Sequence, residues 1–321
     1  MNNEYVDTVL ANRKSMLKLT QQQDKEILKI YNGAMESLIT KAAKAKDKSL
    51  TQRFFIDYSG AVNNQRIILN QKMSDNLTGA ILKSSNLGIN ADVTLLNKAV
   101  AKAGLKNLSF SNMFSNVPNN VLEVLMKGDL YKDGKGLSSR IWSNSSQFKD
   151  DIDYIIKKAI IEKKSAYELA KDLEQFVKPS AKRSFEWRKV YPNVGNKQID
   201  FNAMRLARTS INHSFREAQN ESANRNPFVE AVHWQLSGAH YERQIKRFGE
   251  DICDEYSKQD KFGLGIGNFP KSEVPLSHPL CICTQFSVIP QSLDNVADEL
   301  KAWTNGATNP KLDKWFKEYS K

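Results

Sequence analysis

Apolar positions recur at steps of three and four along most of this chain, and alternate by twos in one short stretch. Over the first third, Ile27, Tyr31, Ala34 and Leu38, and then Phe54, Phe55, Tyr58 and Val62, form narrow stripes on a background rich in Asn, Gln and Lys. That pattern suits long helices packed in pairs. The basic run T-K-A-A-K-A-K-D-K-S between the two stripes reads as a solvated helix end. Asn86, Gly88 and Asn90 predict a break before a further helix over 93–103. Pro118 and Asn119 then open a short helix carrying Val121, Leu122, Val124 and Leu125, and a turn-rich D-L-Y-K-D-G-K-G segment leads to Trp142. Phe148, Ile152, Ile155 and Ala159 mark the next amphipathic helix. Ser165 and Glu168 have capping-box spacing ahead of Leu169, Leu173 and Phe176, with Pro179 as the stop.

The last third changes character. Phe201, Met204, Ala207, Ile211, Phe215 and Ala218 line one face of a long helix, with Arg205, Arg208, His213, Arg216 and Asn220 elsewhere on it, so a core-docked helix with a basic flank is expected. Asn224, Asn226 and Pro227 end it. The alternation of Val232, Trp234 and Leu236 predicts a half-buried strand with Trp234 in the core. Gly263, Gly265 and Gly267 superficially resemble a phosphate-cradling loop. No helix can follow, because Pro270 and Pro275 intervene, so an irregular loop with positive φ angles is the better reading.

These elements predict an α+β, mainly α protein. Its parts are an elongated helical N-terminal region (1–109), a helical middle region with a linker (110–195), a small C-terminal α+β domain in which a long helix packs on a few strands (196–292), and a helical tail (293–321).

Charge and cysteine content narrow the setting. The chain has 321 residues and a formal net charge of +11, so it will associate with polyanions unless something opposes it. Lys182, Arg183 and Arg188, interleaved with Trp187 and Tyr191, and Arg205, Arg208 and Arg216 on the long helix are the candidate contacts to non-specific double-stranded DNA; a docked linker and a solvated basic surface explain the same residues. No stretch is apolar for long enough to span a bilayer. An odd number of cysteines, three, and no signal peptide point to a reducing compartment.

All three cysteines and all four histidines lie between 201 and 290. Cys253, His278, Cys281 and Cys283 form C-x24-H-x2-C-x-C, three thiolates and one imidazole, the ligand set of a tetrahedral structural zinc site. If 281–283 is a strand, its two cysteines share one face. His240 and Asp251 are candidates for further ligation or for holding the ligands from behind. The same residues also read as buried free cysteines packed as small apolar groups and a histidine that satisfies a turn. A bond between Cys281 and Cys283 is disfavoured, since alternate strand residues sit about 6.6 Å apart with near-parallel side chains.

In order along the chain, G-K-G-L-S-S-R-I-W, S-A-Y-E-L-A-K-D-L, R-L-A-R-T-S, H-W-Q-L-S-G-A-H, D-I-C-D, G-L-G-I-G and H-P-L-C-I-C resemble the motifs of the phage Mu F-like minor head (head morphogenesis) proteins. The series covers roughly the last two thirds; the N-terminal third is similar only in its helical character. The resemblance implies a minor structural protein of a tailed double-stranded DNA phage. It would be present in few copies inside the procapsid, bound to the portal protein with scaffold or major capsid protein as further partners, and active in head assembly and in handling or delivering packaged DNA. It places the chain in the virion, and in the host cytoplasm during assembly, with no catalytic residues. Ser210 stands where the family carries an acidic residue, which removes that carboxylate from any catalytic role. The family's His, Asp and Cys positions fall on His240, Asp251, Cys253, His278, Cys281 and Cys283. The competing readings are a phage-delivered metal-dependent hydrolase or transferase built on His240, Asp251 and Cys253, and a basic DNA-binding adaptor.

Overall fold

Ile27, Tyr31, Ala34 and Leu38 are all buried, as their spacing requires, along the helix α1 (Asn3–Ala43) in a computed structural model that describes residues 3–44, 52–105, 110–177, 191 and 201–319. The next helix, α2 (Gln52–Lys102), answers with buried Tyr58 and Val62, and the Tyr58 hydroxyl donates to the Leu38 carbonyl at 2.6 Å. The protein is α+β and mainly α. Among the described residues the remaining helices are α3 (Val117–Lys127), α4 (Leu137–Ile161), α5 (Ala166–Val177), α6 (Phe201–Arg225), α7 (Ile252–Lys258), α8 (Leu293–Thr304) and α9 (Pro310–Tyr319), with shorter helical turns between some of them. Among the described residues no helix is long and apolar enough to cross a membrane.

The chain divides into two compact units, one of Met1–Thr20, Gly79–Leu125 and Thr209–Lys321, the other of Gln21–Thr78 and Met126–Arg208. These do not follow the consecutive regions 1–109, 110–195, 196–292 and 293–321. The dividing points fall inside α1, α2, α3 and α6.

In the second unit, α4 meets α1 through the edge-to-face contact of Tyr31 with Phe148, 6.0 Å between centroids. α5 begins with the predicted capping box: the Ser165 N–H donates to Glu168 Oε2 at 2.7 Å, and the Glu168 N–H to Ser165 Oγ at 3.2 Å. The linker residues Lys182, Arg183, Trp187 and Arg188 lie outside the described residues.

In the first unit, α2 runs unbroken through Asn86, Gly88 and Asn90, contrary to the predicted break. Gly88 serves packing. A Cβ there would lie 2.4 Å from the Phe215 carbonyl oxygen and 2.8 Å from Ala218 Cβ, so α2 and α6 approach backbone to backbone. Ser84, one turn earlier, donates its hydroxyl to the Ile211 carbonyl at 2.7 Å. One turn later, Asp92 accepts from Ser222 Oγ at 2.9 Å and from Asn226 Nδ2 at 2.8 Å.

Asp92 is 1% exposed, and burial pushes its carboxyl from 3.8 up to about 6, against the two hydrogen bonds that hold it down. The folded value lies above the unfolded one, so the stability it contributes is fully present below pH ~4 and is lost as pH rises through ~6. Raising pH from about 4 to about 7 should cost about 2 kcal/mol at this site. Asp92→Asn should flatten that part of the pH dependence, which denaturant titrations of both proteins at the two pH values will measure.

α6 ends at Arg225, and the buried Asn226 receives the Phe228 N–H on its own side-chain oxygen, turning the chain into strand β1 (Ala231–Gln235). β1 is the centre of a three-stranded antiparallel sheet, flanked by β2 (Asn268–Phe269) and β3 (Thr284–Val288), with Val232 opposite Phe269 and Trp234 opposite Gln285. Gly263, Gly265 and Gly267 have φ of 66°, 95° and 73°, the irregular loop expected. The last of them accepts the Trp234 N–H at 2.7 Å. The helical tail closes the unit through Trp315, whose ring lies 4.7 Å from that of Phe110 at a tilt of 34°.

Candidate metal centre

Three segments converge beside β1. The first leaves the strand through S-G-A-H, where a turn from the His240 N–H to the Ser237 carbonyl buries His240 at 3% exposure. The second, D-I-C-D, is a reciprocal cap: Asp251 Oδ1 accepts the Cys253 N–H at 2.8 Å, and Asp254 Oδ2 accepts the Asp251 N–H at 2.9 Å. That box fixes Cys253 in the first turn of α7, facing inward. The third is S-H-P-L-C-I-C. Leu280 adopts a φ of 63° there, and Cys281 and Cys283 precede β3 instead of lying in it. The shared strand face expected for them is therefore replaced by a turn that brings both sulfurs inward.

All three cysteines are free and buried in one core cluster with Trp234 and Phe269. Cys253 Sγ lies 3.5 Å from Cys281 Sγ, and Cys283 Sγ lies 3.6 Å from His240 Nδ1. His240 Nε2 is 3.0 Å from Asp254 Oδ2, while His278 Nε2 is 3.1 Å from Asp251 Oδ2. Cys253, His278 and Cys281 bring ligand atoms within 4.8 Å of one another, as do His240, Asp251 and Asp254. The two groups share a wall and could hold a metal.

α6 supplies the back of the site. Arg216, 4% exposed, donates to the Cys283 carbonyl and, at 3.3 Å, to Cys281 Sγ, and its guanidinium stacks 4.5 Å from the Trp234 ring centroid. Asn212 Nδ2 reaches Ser277 Oγ at 3.3 Å, and His213 Nε2 lies 3.0 Å from the Ser277 carbonyl. These contacts clamp the turn that carries His278.

The electrostatics follow from the sulfur contacts. Donation from Cys253 and Cys283, with His278 and Arg216 adding to it, holds the Cys281 thiol far below its ordinary value and makes it the first thiolate. Cys253 is pushed up in turn, because it keeps the proton shared with Cys281 and Cys283 and is buried. Contact with Cys253 pulls Cys283 down, but the charge on Cys281 and burial outweigh it and leave Cys283 at about 11. His278 is raised, chiefly by Cys281. Asp254, despite burial, is held low by the Asp251 N–H and His240.

Cys253, His278, Cys281, Cys283, His240 and Asp251 are thus all brought together. The basic flank is not. Arg216 is buried and faces sulfur, because its guanidinium stacks on Trp234 and is spent on a carbonyl, so it cannot reach a phosphate. Arg208 grips Asp24 through two bonds of 2.8 and 2.7 Å. Arg205 is exposed, and Lys182, Arg183 and Arg188 are outside the described residues. Asn212, Arg216 and Asp254 are the participants that residue spacing missed. Of these, Asp254 alone had a local signal, the D-x-x-D spacing of a cap around Cys253.

Fold and site together define a mainly helical α+β protein with a buried cysteine and histidine cluster that could hold a metal ion. Comparison with protein-family models, with curated proteins and with solved structures gives no match.

Proposed function

We propose that this chain is a minor head protein of a tailed double-stranded DNA phage, of the Mu F-like type, whose C-terminal sheet is tied by a structural zinc ion. One observation carries the reading: H-W-Q-L-S-G-A-H, D-I-C-D and H-P-L-C-I-C, three of the segments on which the resemblance rests, are the three that meet at the sulfur cluster. A sheet whose edge strand β2 has two residues, joined by long loops, has little core of its own, and small loop-rich folds commonly rely on a metal or a disulfide. Zinc suits the donors, since thiolates and imidazole are its preferred structural ligands. The ion's role is to hold the fold, with the Cys253 thiol raised and buried and so poorly suited to act as a nucleophile. The net charge of +11 fits a position near packaged DNA, and the portal protein is the expected partner.

Procapsids purified from cells producing the phage test the assembly role: quantitative mass spectrometry should find the chain in a few copies per particle. Its absence from both procapsids and mature particles would overturn that role. Elemental analysis of the purified chain should find about one zinc per molecule.

A further inference from the structure

Resting on the metal reading above, we propose that the fourth ligand beside Cys253, Cys281 and Cys283 is His240 through Nδ1, and that His278 lies outside the coordination sphere as a latch on Asp251. The argument is one of lone pairs. A neutral imidazole has one N–H and one lone pair, and only the lone pair can bind a metal. His240 Nε2 faces Asp254 Oδ2 at 3.0 Å, which takes the N–H and leaves the lone pair on Nδ1, the nitrogen that faces Cys283 Sγ at 3.6 Å. A carboxylate behind a ligating histidine is the usual way a metal site fixes its tautomer. His278 is placed differently. One of its nitrogens comes within 4.8 Å of the Cys253 and Cys281 sulfurs, but its Nδ1 lies 2.9 Å from the Pro279 carbonyl and its Nε2 3.1 Å from Asp251 Oδ2, so oxygen acceptors face both nitrogens and engage both as donors. Its side chain is also 32% exposed, against 4% for His240.

Distances agree. Zinc–sulfur bonds of about 2.3 Å and a zinc–nitrogen bond of about 2.0 Å give tetrahedral edges of roughly 3.7 Å between sulfurs and roughly 3.5 Å between sulfur and nitrogen. The Cys253–Cys281 separation of 3.5 Å and the Cys283–His240 separation of 3.6 Å have the lengths of one opposite pair among the six edges of such a tetrahedron. The thiolate charge is also offset. Three thiolates around a divalent ion leave one negative charge in the core, and the buried Arg216 guanidinium against Cys281 Sγ supplies the opposing one.

Zinc competition with a chromophoric chelator, and the visible spectrum of the cobalt-substituted protein, distinguish the histidines in the full-length chain. His240→Ala should weaken zinc about 1,000-fold or more and alter the tetrahedral cobalt bands. His278→Ala should leave those bands unchanged and weaken zinc no more than about 10-fold, the scale of an outer contact. The reverse pattern would overturn the assignment while leaving the metal reading intact. A wild-type chain that binds no zinc or cobalt would overturn both. A readout independent of a folded His240 variant comes from nitrogen-15 histidine NMR of the zinc-loaded His278→Ala protein. A metal-bound Nδ1 signal must persist there, and its loss would refute the proposal.

Discussion

Stripping zinc from the loaded chain should melt the sheet module, with a loss on the order of 5 kcal/mol and the largest change in Tm of any single intervention. Structural zinc supplies apparent binding energies of about 10–16 kcal/mol to zinc-finger peptides, which have almost no fold without it. Here part of that figure is not at stake, because the module also has packing that no metal supplies, Trp234 on Tyr256 at 5.1 Å and Tyr256 on Phe269 at 5.9 Å. Cys281→Ala should reproduce the effect, since it removes the first thiolate and leaves Arg216 buried without its sulfur acceptor. If the three cysteines were merely small core groups, the same substitution would cost about 1 kcal/mol, the ordinary price of a modest core truncation. Thermal melts followed by near-ultraviolet circular dichroism, with and without chelator, separate the two. Identical melting in both conditions would end the structural-metal account.

The second large effect belongs to a residue with no chemistry. Gly88→Ala should destabilise the protein by about 3 kcal/mol, at the upper end of overpacking costs, because the atoms its Cβ meets are the Phe215 carbonyl at 2.4 Å and Ala218 Cβ at 2.8 Å. Neither is the end of a flexible side chain, so α2 and α6 must separate. Separation would also stretch the Ser84 bond to Ile211 and the Asp92 bonds to Ser222 and Asn226. Gly79→Ala, in the same helix, should do the opposite. Nothing lies within 4 Å of its Cβ position, so the better helix propensity of alanine should stabilise by about 0.5–1 kcal/mol. Urea midpoints moving in opposite directions for the two variants would confirm the assignment; a shared sign would refute it.

These cases mark where the chain's own pattern suffices. Ile27, Tyr31, Ala34 and Leu38 are buried on one face because helical period is a local property, and the Ser165–Glu168 box forms because both partners lie within one turn. Gly263, Gly265 and Gly267 take positive φ for an equally local reason: Pro270 and Pro275 forbid a following helix. The gathering of Cys253, Cys281 and Cys283 is legible from residue type and confinement to one segment.

Seen along the chain, Gly88 between Asn86 and Asn90 predicts a break, because glycine and asparagine are poor helix formers. Its actual role depends on Phe215, more than a hundred positions away. Arg216 falls off the apolar stripe of its helix, so spacing alone puts it on a basic flank; its burial comes from Trp234, Cys281 and Cys283, which no periodicity connects to it. Which histidine offers a lone pair could not be read at all from C-x24-H-x2-C-x-C, since Asp254, Asp251 and the Pro279 carbonyl decide it by their positions in space. The sequence by itself determined the helices, the loop chemistry and the donor atoms, all set by interactions within a few residues. Only the tertiary structure decided which donors face one another, how closely the helices approach and which charge is buried, because those depend on contacts between segments far apart in the chain.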